Sequence, residues 1–309
     1  MTKKACNFLR GTAALFVVVA HYSQWYELQV DAGILCMLLS KLGRYGVSIF
    51  LALSGYGLMC SAEKGIDHSF LCRRLKNVYL PYLMITGMIS IFERRVWNVK
   101  YLIRWFLALD TWFVFVILVF YIIFYFVWRY CRRKIAAMWI GIALVSVILA
   151  IWTKDSMWYS CNFSFGIGMI FKAYEAVFLN SIKKHRLFWL AVLLSGFAIS
   201  AVIYMTAMNK SITIYIGFKV LASIFWTCLV LCVALQRSLA HGKYIRLLGE
   251  ASLECYLLHP FVLASLEKVS YPKNAEESMA IALLSIAVSV IAAYVFHVFY
   301  KKMVLQKKQ

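Results

Sequence analysis

Stretch after stretch of this chain is apolar for about 20 residues, the length an α-helix needs to cross the hydrocarbon core of a bilayer. Ten such stretches are read, over residues 8–28, 43–61, 78–93, 112–128, 136–152, 159–179, 187–206, 213–235, 245–267 and 279–300. The third, Val78–Glu93, is the shortest, and Asn162, Lys172 and Glu175 interrupt the sixth. In lipid every backbone N–H and C=O must be satisfied within the chain, so this pattern folds as a helix bundle. Hydrophobic residues make up 63% of the sequence, far above the apolar share of a soluble domain. No soluble domain of useful size fits between the stretches. The expected fold is all-α: one polytopic membrane domain over residues 1–309, with about ten transmembrane helices.

The net charge of +20 would point to nucleic acid in a soluble protein. The positive-inside rule accounts for it better here. With the N-terminus cytoplasmic, inner segments hold 20 Lys and Arg, among them Lys3, Lys4, Arg73, Arg74, Lys76, Arg132, Arg133, Lys183, Arg237, Lys307 and Lys308. Outer segments hold 10, including Arg94, Lys154 and Lys273. Both termini are therefore expected in the cytoplasm, and no nucleic-acid partner is expected. The outer stretch Arg94–Arg104 goes against the bias, and Trp97, Tyr101, Trp105 and Phe106 would suit a short interfacial or re-entrant helix there. The nine cysteines show no CxxC pair and no disulfide spacing, and no metal site is expected. Cys228 and Cys232 share a helix face, which in a span means packing more often than metal. The first apolar stretch lacks a cleavage site for a signal peptide.

Ionisable groups inside spans are costly and mark functional sites by default. Arg10 and His21 lie eleven residues apart in the first span. Eleven helical steps return to within about 20° of the same face, about 16 Å further along the axis. A buried histidine hydrogen-bonded across helices is the plain alternative. The second span carries Gly46-Val47-Ser48-Ile49-Phe50 and Ser54-Gly55-Tyr56-Gly57, small residues that also suit close helix packing. Arg73, Arg74 and Lys76 precede Pro81 at the entry to the third span. They either anchor topology or grip the phosphates of a cytoplasmic ligand. Trp112 and Phe113, with Tyr121 beyond them, open the fourth span and read equally as belt aromatics. In the ninth, Ser252, Tyr256 and His259 follow i, i+4, i+7 and form one polar stripe, with Glu254 on another face near mid-membrane. His259 stands directly before Pro260 and can serve carbonyls freed by the kink, so structural support ranks ahead of catalysis for it.

Taken in order, Arg10-x10-His21, Gly46-Val47-x-Ile49-Phe50-x3-Ser54-Gly55-Tyr56, Arg73-Arg74 before Pro81, Trp112-Phe113 and Gly249-x2-Ser252-x3-Tyr256-x2-His259 resemble the membrane-bound acyltransferase-3 family. The resemblance runs from about residue 5 to residue 300. Such proteins are integral membrane O-acyltransferases, chiefly bacterial, that modify surface glycans and related molecules. The resemblance implies a multi-pass protein of the bacterial plasma membrane, with Arg10 and His21 in the active centre and His21 catalytic. It also implies that Arg73 and Arg74, with Lys76, meet an acyl-CoA donor, acetyl-CoA above all, and that the acceptor is a glycan or lipid-linked sugar. Relatives often carry a basic residue near Asn77, and Lys76 stands beside that position here.

Acyl transfer to a hydroxyl needs a thioester carbonyl, the hydroxyl, and a base for its proton. Histidine is the usual base, with an ordinary pKa of about 6.5 close to working pH. His21 is expected to deprotonate the acceptor or to carry the acyl group briefly. Arg10 would steer the donor arm, and Ser252 and Tyr256 would donate to the developing oxyanion. The rival reading is a proton-coupled transporter or exporter, which intramembrane Lys172, Glu175, Lys219, Glu250 and Glu254 would also suit.

Overall fold

The computed structural model of the protein describes residues 1–29, 33–67, 69–207, 210–236, 242–269 and 275–305. Arg237, Lys273, Lys307 and Lys308 of the charge argument lie outside the described residues. The described residues are 88% helical, with no strand among them. In order the helices are α1 (Lys3–Gln29), α2 (Ile34–Ser40), α3 (Leu42–Ala62), α4 (Ser69–Arg74), α5 (Leu80–Phe92), α6 (Val99–Phe106), α7 (Trp112–Tyr130) and α8 (Lys134–Thr153). There follow α9 (Phe163–Ala173), α10 (Glu175–Lys184), α11 (Arg186–Ala207), α12 (Ile212–Gln236), α13 (Lys243–Glu250), α14 (Ser252–Val269) and α15 (Ala275–Tyr300).

Eight helical runs among the described residues are long and apolar enough to cross a membrane, and two sharply bent helix pairs bring the number up to 10 if each pair is one span. These ten fall on the ten apolar stretches of the sequence. This is a multi-pass membrane protein. The sixth and ninth stretches are the bent ones. Ser156–Ala173 meets Glu175–Lys184 at 86°, and Lys243–Glu250 meets Ser252–Val269 at 84°. The bend in the sixth falls where charge interrupts it. Lys172 Nζ sits 3.1 Å from Glu63 Oε1 and 3.4 Å from Glu175 Oε2, and the Tyr56 hydroxyl donates to Glu175 at 2.8 Å. Pairing of this kind offsets the cost of carrying charge in a span.

The chain divides into two compact units. One holds Met1, Val47–Arg74 and Thr111–Leu239; the other holds Thr2–Gly46, Leu75–Asp110 and Ala240–Gln309. In the first unit α7 buries Phe113, Ile117, Phe120, Phe124 and Val127 at helical spacing. In α8, Met138, Ile142, Ser146 and Leu149 are buried while Ile140, Leu144 and Ile148 are exposed. A helix apolar all round turns its second face to lipid. Helix α9 lies against α3 backbone to backbone. A Cβ on Gly168 would come within 1.9 Å of the Ala52 carbonyl oxygen, so only glycine fits. Cys228 and Cys232 pack among Phe171, Leu229 and Leu231.

In the second unit α1 packs on α13, α14 and α15. Gly249 of the ninth-span motif is one of two close points between α13 and α1. A Cβ there would meet the Asn7 carbonyl oxygen at 1.8 Å, and a Cβ on Gly11 would meet the Ile245 carbonyl oxygen at 1.9 Å. Asn7 also donates to Glu250 at 3.2 Å, so that carboxylate is partnered beside the bend. Glu254 stands in the first turn of α14, just after the bend, 2.8 Å from His297 Nδ1. The stretch after Arg94 forms α6, whose Trp105 donates to Thr86 of α5 at 2.8 Å while Val99, Ile103 and Phe106 stay exposed.

Candidate active site

His21 lies in the unbroken part of α1, so Arg10 and His21 share a helix face, about 16 Å apart along the axis. His21 is exposed. Its ring centroid is 4.9 Å from that of His259 on α14, with the planes 67° apart. His259 is 1% exposed. The two histidines, 238 positions apart in the sequence, therefore form one pair with an accessible member and a buried one.

Several contacts hold this pair. Pro260 has no N–H and opens the i→i−4 ladder of α14, and the His259 side chain turns back into that turn. Its Nδ1 lies 3.1 Å from the Cys255 carbonyl oxygen. A carbonyl only accepts, so this contact assigns the proton to Nδ1. The Tyr22 hydroxyl lies 2.9 Å from Ser289 Oγ on α15 and donates to the His259 carbonyl oxygen at 3.4 Å, tying three helices together at one level. Tyr256 stands beside His259, ring centroids 6.0 Å apart. Ser252 is buried seven residues earlier, about 10 Å down the helix, next to the bend. The polar stripe of the ninth span thus brings Tyr256 to the pair and leaves Ser252 behind. Arg10 makes no hydrogen bond or ion pair among the described residues.

The basic cluster before Pro81 does not act as one patch. Arg73 points outward into a two-pronged pair with Asp67, Nη2 to Oδ1 at 2.7 Å and Nη1 to Oδ2 at 3.0 Å. Ser69 joins it with a 2.8 Å bond to the same carboxylate, and these bonds hold the Asp67 carboxyl down at about 2. Arg74 turns the other way. It donates to Ser61 Oγ at 2.6 Å, and its guanidinium lies 5.2 Å from the Phe70 ring and 5.9 Å from the Tyr121 ring. Adjacent helical residues point about 100° apart, which separates the two forks. Ser61, Lys64, Gly65, Ile66, Asp67 and Arg73 line a surface cavity of about 460 Å³. Lys76 is exposed in a π turn, Leu75–Tyr79. The wider step accommodates Pro81, which cannot supply a backbone N–H. The donor that residue 81 would have given to the Lys76 carbonyl comes instead from the Tyr300 hydroxyl.

Sequence reasoning missed Asp67, Ser61, Tyr22 and Ser289. Asp67 carried a faint signal, an acid six residues before an arginine at a helix start, whereas Ser289 carried none.

Residues 4–298 match the sequence model of an acyltransferase domain, and this covers all five motif stations and both histidines. The chain belongs to the acyltransferase-3 family. No curated protein and no solved structure matches this acyltransferase. The family match favours acyl transfer over the transporter reading. The charges that suited a transporter are partly accounted for as structure, since Lys172 and Glu175 pair at one bend and Glu250 is bonded to Asn7 near the other.

Proposed function

We propose that this acyltransferase moves an acetyl group from acetyl-CoA to a hydroxyl of a cell-surface or exported glycan, with His21 as the base. The observation that carries the reading is the exposed His21 ring set against a buried, backbone-tied His259 in a chain of this family. In the reaction the His21 lone pair takes the hydroxyl proton as the oxygen attacks the thioester carbon. A C–O bond forms, the C–S bond breaks, and the imidazolium returns the proton to the departing CoA thiolate. A positioned base of this kind contributes roughly 10²–10⁴-fold.

Arg10, on the same face of α1, meets the phosphate or pantetheine arm of the donor on its way to His21. Arg73 and Lys64 at the mouth of the 460 Å³ cavity, and Arg74 behind them, supply charge for the donor's nucleotide phosphates. Lys76 adds a peripheral charge. In this scheme both termini and the donor are on the cytoplasmic side of a bacterial plasma membrane, and the acceptor is a glycan or lipid-linked sugar beyond it. Tyr256, beside the pair, is the donor best placed for the oxyanion.

The test is radiolabel transfer from acetyl-CoA in membranes expressing the wild type or His21→Ala, with glycan and lipid fractions counted separately. Label entering one fraction only with the wild type supports transfer through His21 and names the acceptor class. Label entering equally with His21→Ala removes His21 from the mechanism.

A further inference from the structure

Once His21 is given the proton, His259 still has one feature without a use. Its Nε2 is a buried polar atom with no hydrogen-bond partner among the described residues. Native structures rarely leave such an atom unpaired unless something is to occupy it. The other ring nitrogen is committed, since Nδ1 donates to the Cys255 carbonyl at 3.1 Å. A neutral imidazole with its proton on Nδ1 presents a bare lone pair at Nε2. Of the polar rings around it His21 is the nearest, centroids 4.9 Å apart and edge to face, against 6.0 Å for Tyr256 and 6.3 Å for Tyr22. At that separation a rotation about χ2, a soft torsion, is enough to point a nitrogen of one ring at a nitrogen of the other.

We propose that His259 is the positioning acceptor for His21: its Nε2 takes the hydrogen bond from the N–H of His21 and so selects the His21 tautomer whose other nitrogen is free to act as base. This rests on the acyltransferase reading given above. The reverse tautomer of His21 would set two lone pairs against each other, and it is disfavoured for that reason. The chain of donors then runs in one direction, from His21 N–H to His259 Nε2 and from His259 Nδ1–H to the Cys255 carbonyl. When His21 gains the acceptor's proton, the same hydrogen bond becomes charge-assisted and stronger. A base oriented by a third group is the general pattern of activated nucleophile sites. Here a second histidine, fixed by a backbone carbonyl at a proline break, supplies the orienting group. The Tyr22 link to the His259 carbonyl and to Ser289 keeps α14 from sliding on α1 at this level.

The competing role for His259 is to patch the break at Pro260, and the experiment separates the two. The variants are His259→Gln, His259→Leu, and the double variant Pro260→Ala/His259→Leu, whose restored N–H removes the need for a patch. All are assayed with acetyl-CoA beside the wild type and His21→Ala. The Gln side chain can place an oxygen acceptor near the Nε2 position, so His259→Gln is expected within about tenfold of wild-type kcat. Both Leu variants are expected to lose about 10²-fold or more in kcat, as other orienting groups do, with donor and acceptor KM little changed. The acid limb of the pH–kcat profile is expected to move in any Leu variant that retains measurable turnover. Wild-type kcat and an unmoved profile in the folded double variant would overturn the proposal. So would equal losses in His259→Gln and His259→Leu. Wild-type membranes that transfer no label at all would overturn the acyltransferase reading itself. Transfer that needs His21 but not His259 would overturn this inference alone.

Discussion

Asp67 holds Arg73 the way a phosphate would, one carboxylate oxygen on each of the two terminal guanidinium nitrogens, at 2.7 and 3.0 Å. The pair lines the cavity proposed for the donor, so an incoming phosphate must displace the carboxylate. An exposed ion pair is a weak competitor. Asp67→Asn is expected to lower the KM for acetyl-CoA by less than about tenfold, with acceptor KM unchanged. The Asp67 carboxyl is held below its ordinary value, at about 2, so the pair is fully formed above the ordinary carboxylate range and is lost only as pH falls through about 2. Donor KM is accordingly expected to show no Asp67-dependent inflection between about pH 5 and 9, and one that vanishes in Asp67→Asn would contradict this.

Arg74 combines a bond to Ser61 with two aromatic faces, a setting matched to a planar guanidinium. Arg74→Ala is expected to raise donor KM more than acceptor KM. Arg74→Lys is expected to recover only part of the loss, because an ammonium offers no fork. Equal effects on both substrates would take Arg74 out of donor binding.

Gly249 leaves no room for a side chain beside the Asn7 carbonyl. Gly249→Ala must push α13 off α1, a packing strain of about 1–3 kcal/mol. A lower thermal midpoint in detergent is expected, read by size-exclusion after heating. An unchanged midpoint would mean that the two helices part without cost.

Tyr22→Phe removes the hydroxyl shared by Ser289 and the His259 carbonyl while keeping the ring. Losing a buried hydrogen bond costs about 0.5–1.5 kcal/mol. A small fall in thermal midpoint with donor KM unchanged is expected, and an increase in midpoint would show that the hydroxyl is not holding the helices.

The sequence reading and the structure agree most closely where the signal is local. Ten apolar stretches correspond to eight helical runs and two sharply bent helix pairs, and the sixth was weak in the sequence at the very residues, Lys172 and Glu175, that flank its bend. The ninth also carries a charge at its bend, Glu250, but one acid beside Ala251, an ordinary helix former, does not by itself announce a break. Arg73 and Arg74 read as one basic patch in a string of letters but separate on a helix, and Asp67 shows its importance only when the chain turns back to place it on Arg73.

Hydrophobic length and the requirement that backbone groups be satisfied in lipid made this chain a bundle of membrane helices, and the order of short motifs marked it as an acyltransferase. Both are properties of residues near one another along the chain. Helical spacing also put Arg10 and His21 on one face of α1. The meeting of His21 with His259 was decided by tertiary structure alone, through the seating of Gly249 on Asn7, the break at Pro260 and the tie from Tyr22 to Ser289. Periodicity fixes which face of a helix a residue occupies, but packing between helices fixes what that face meets.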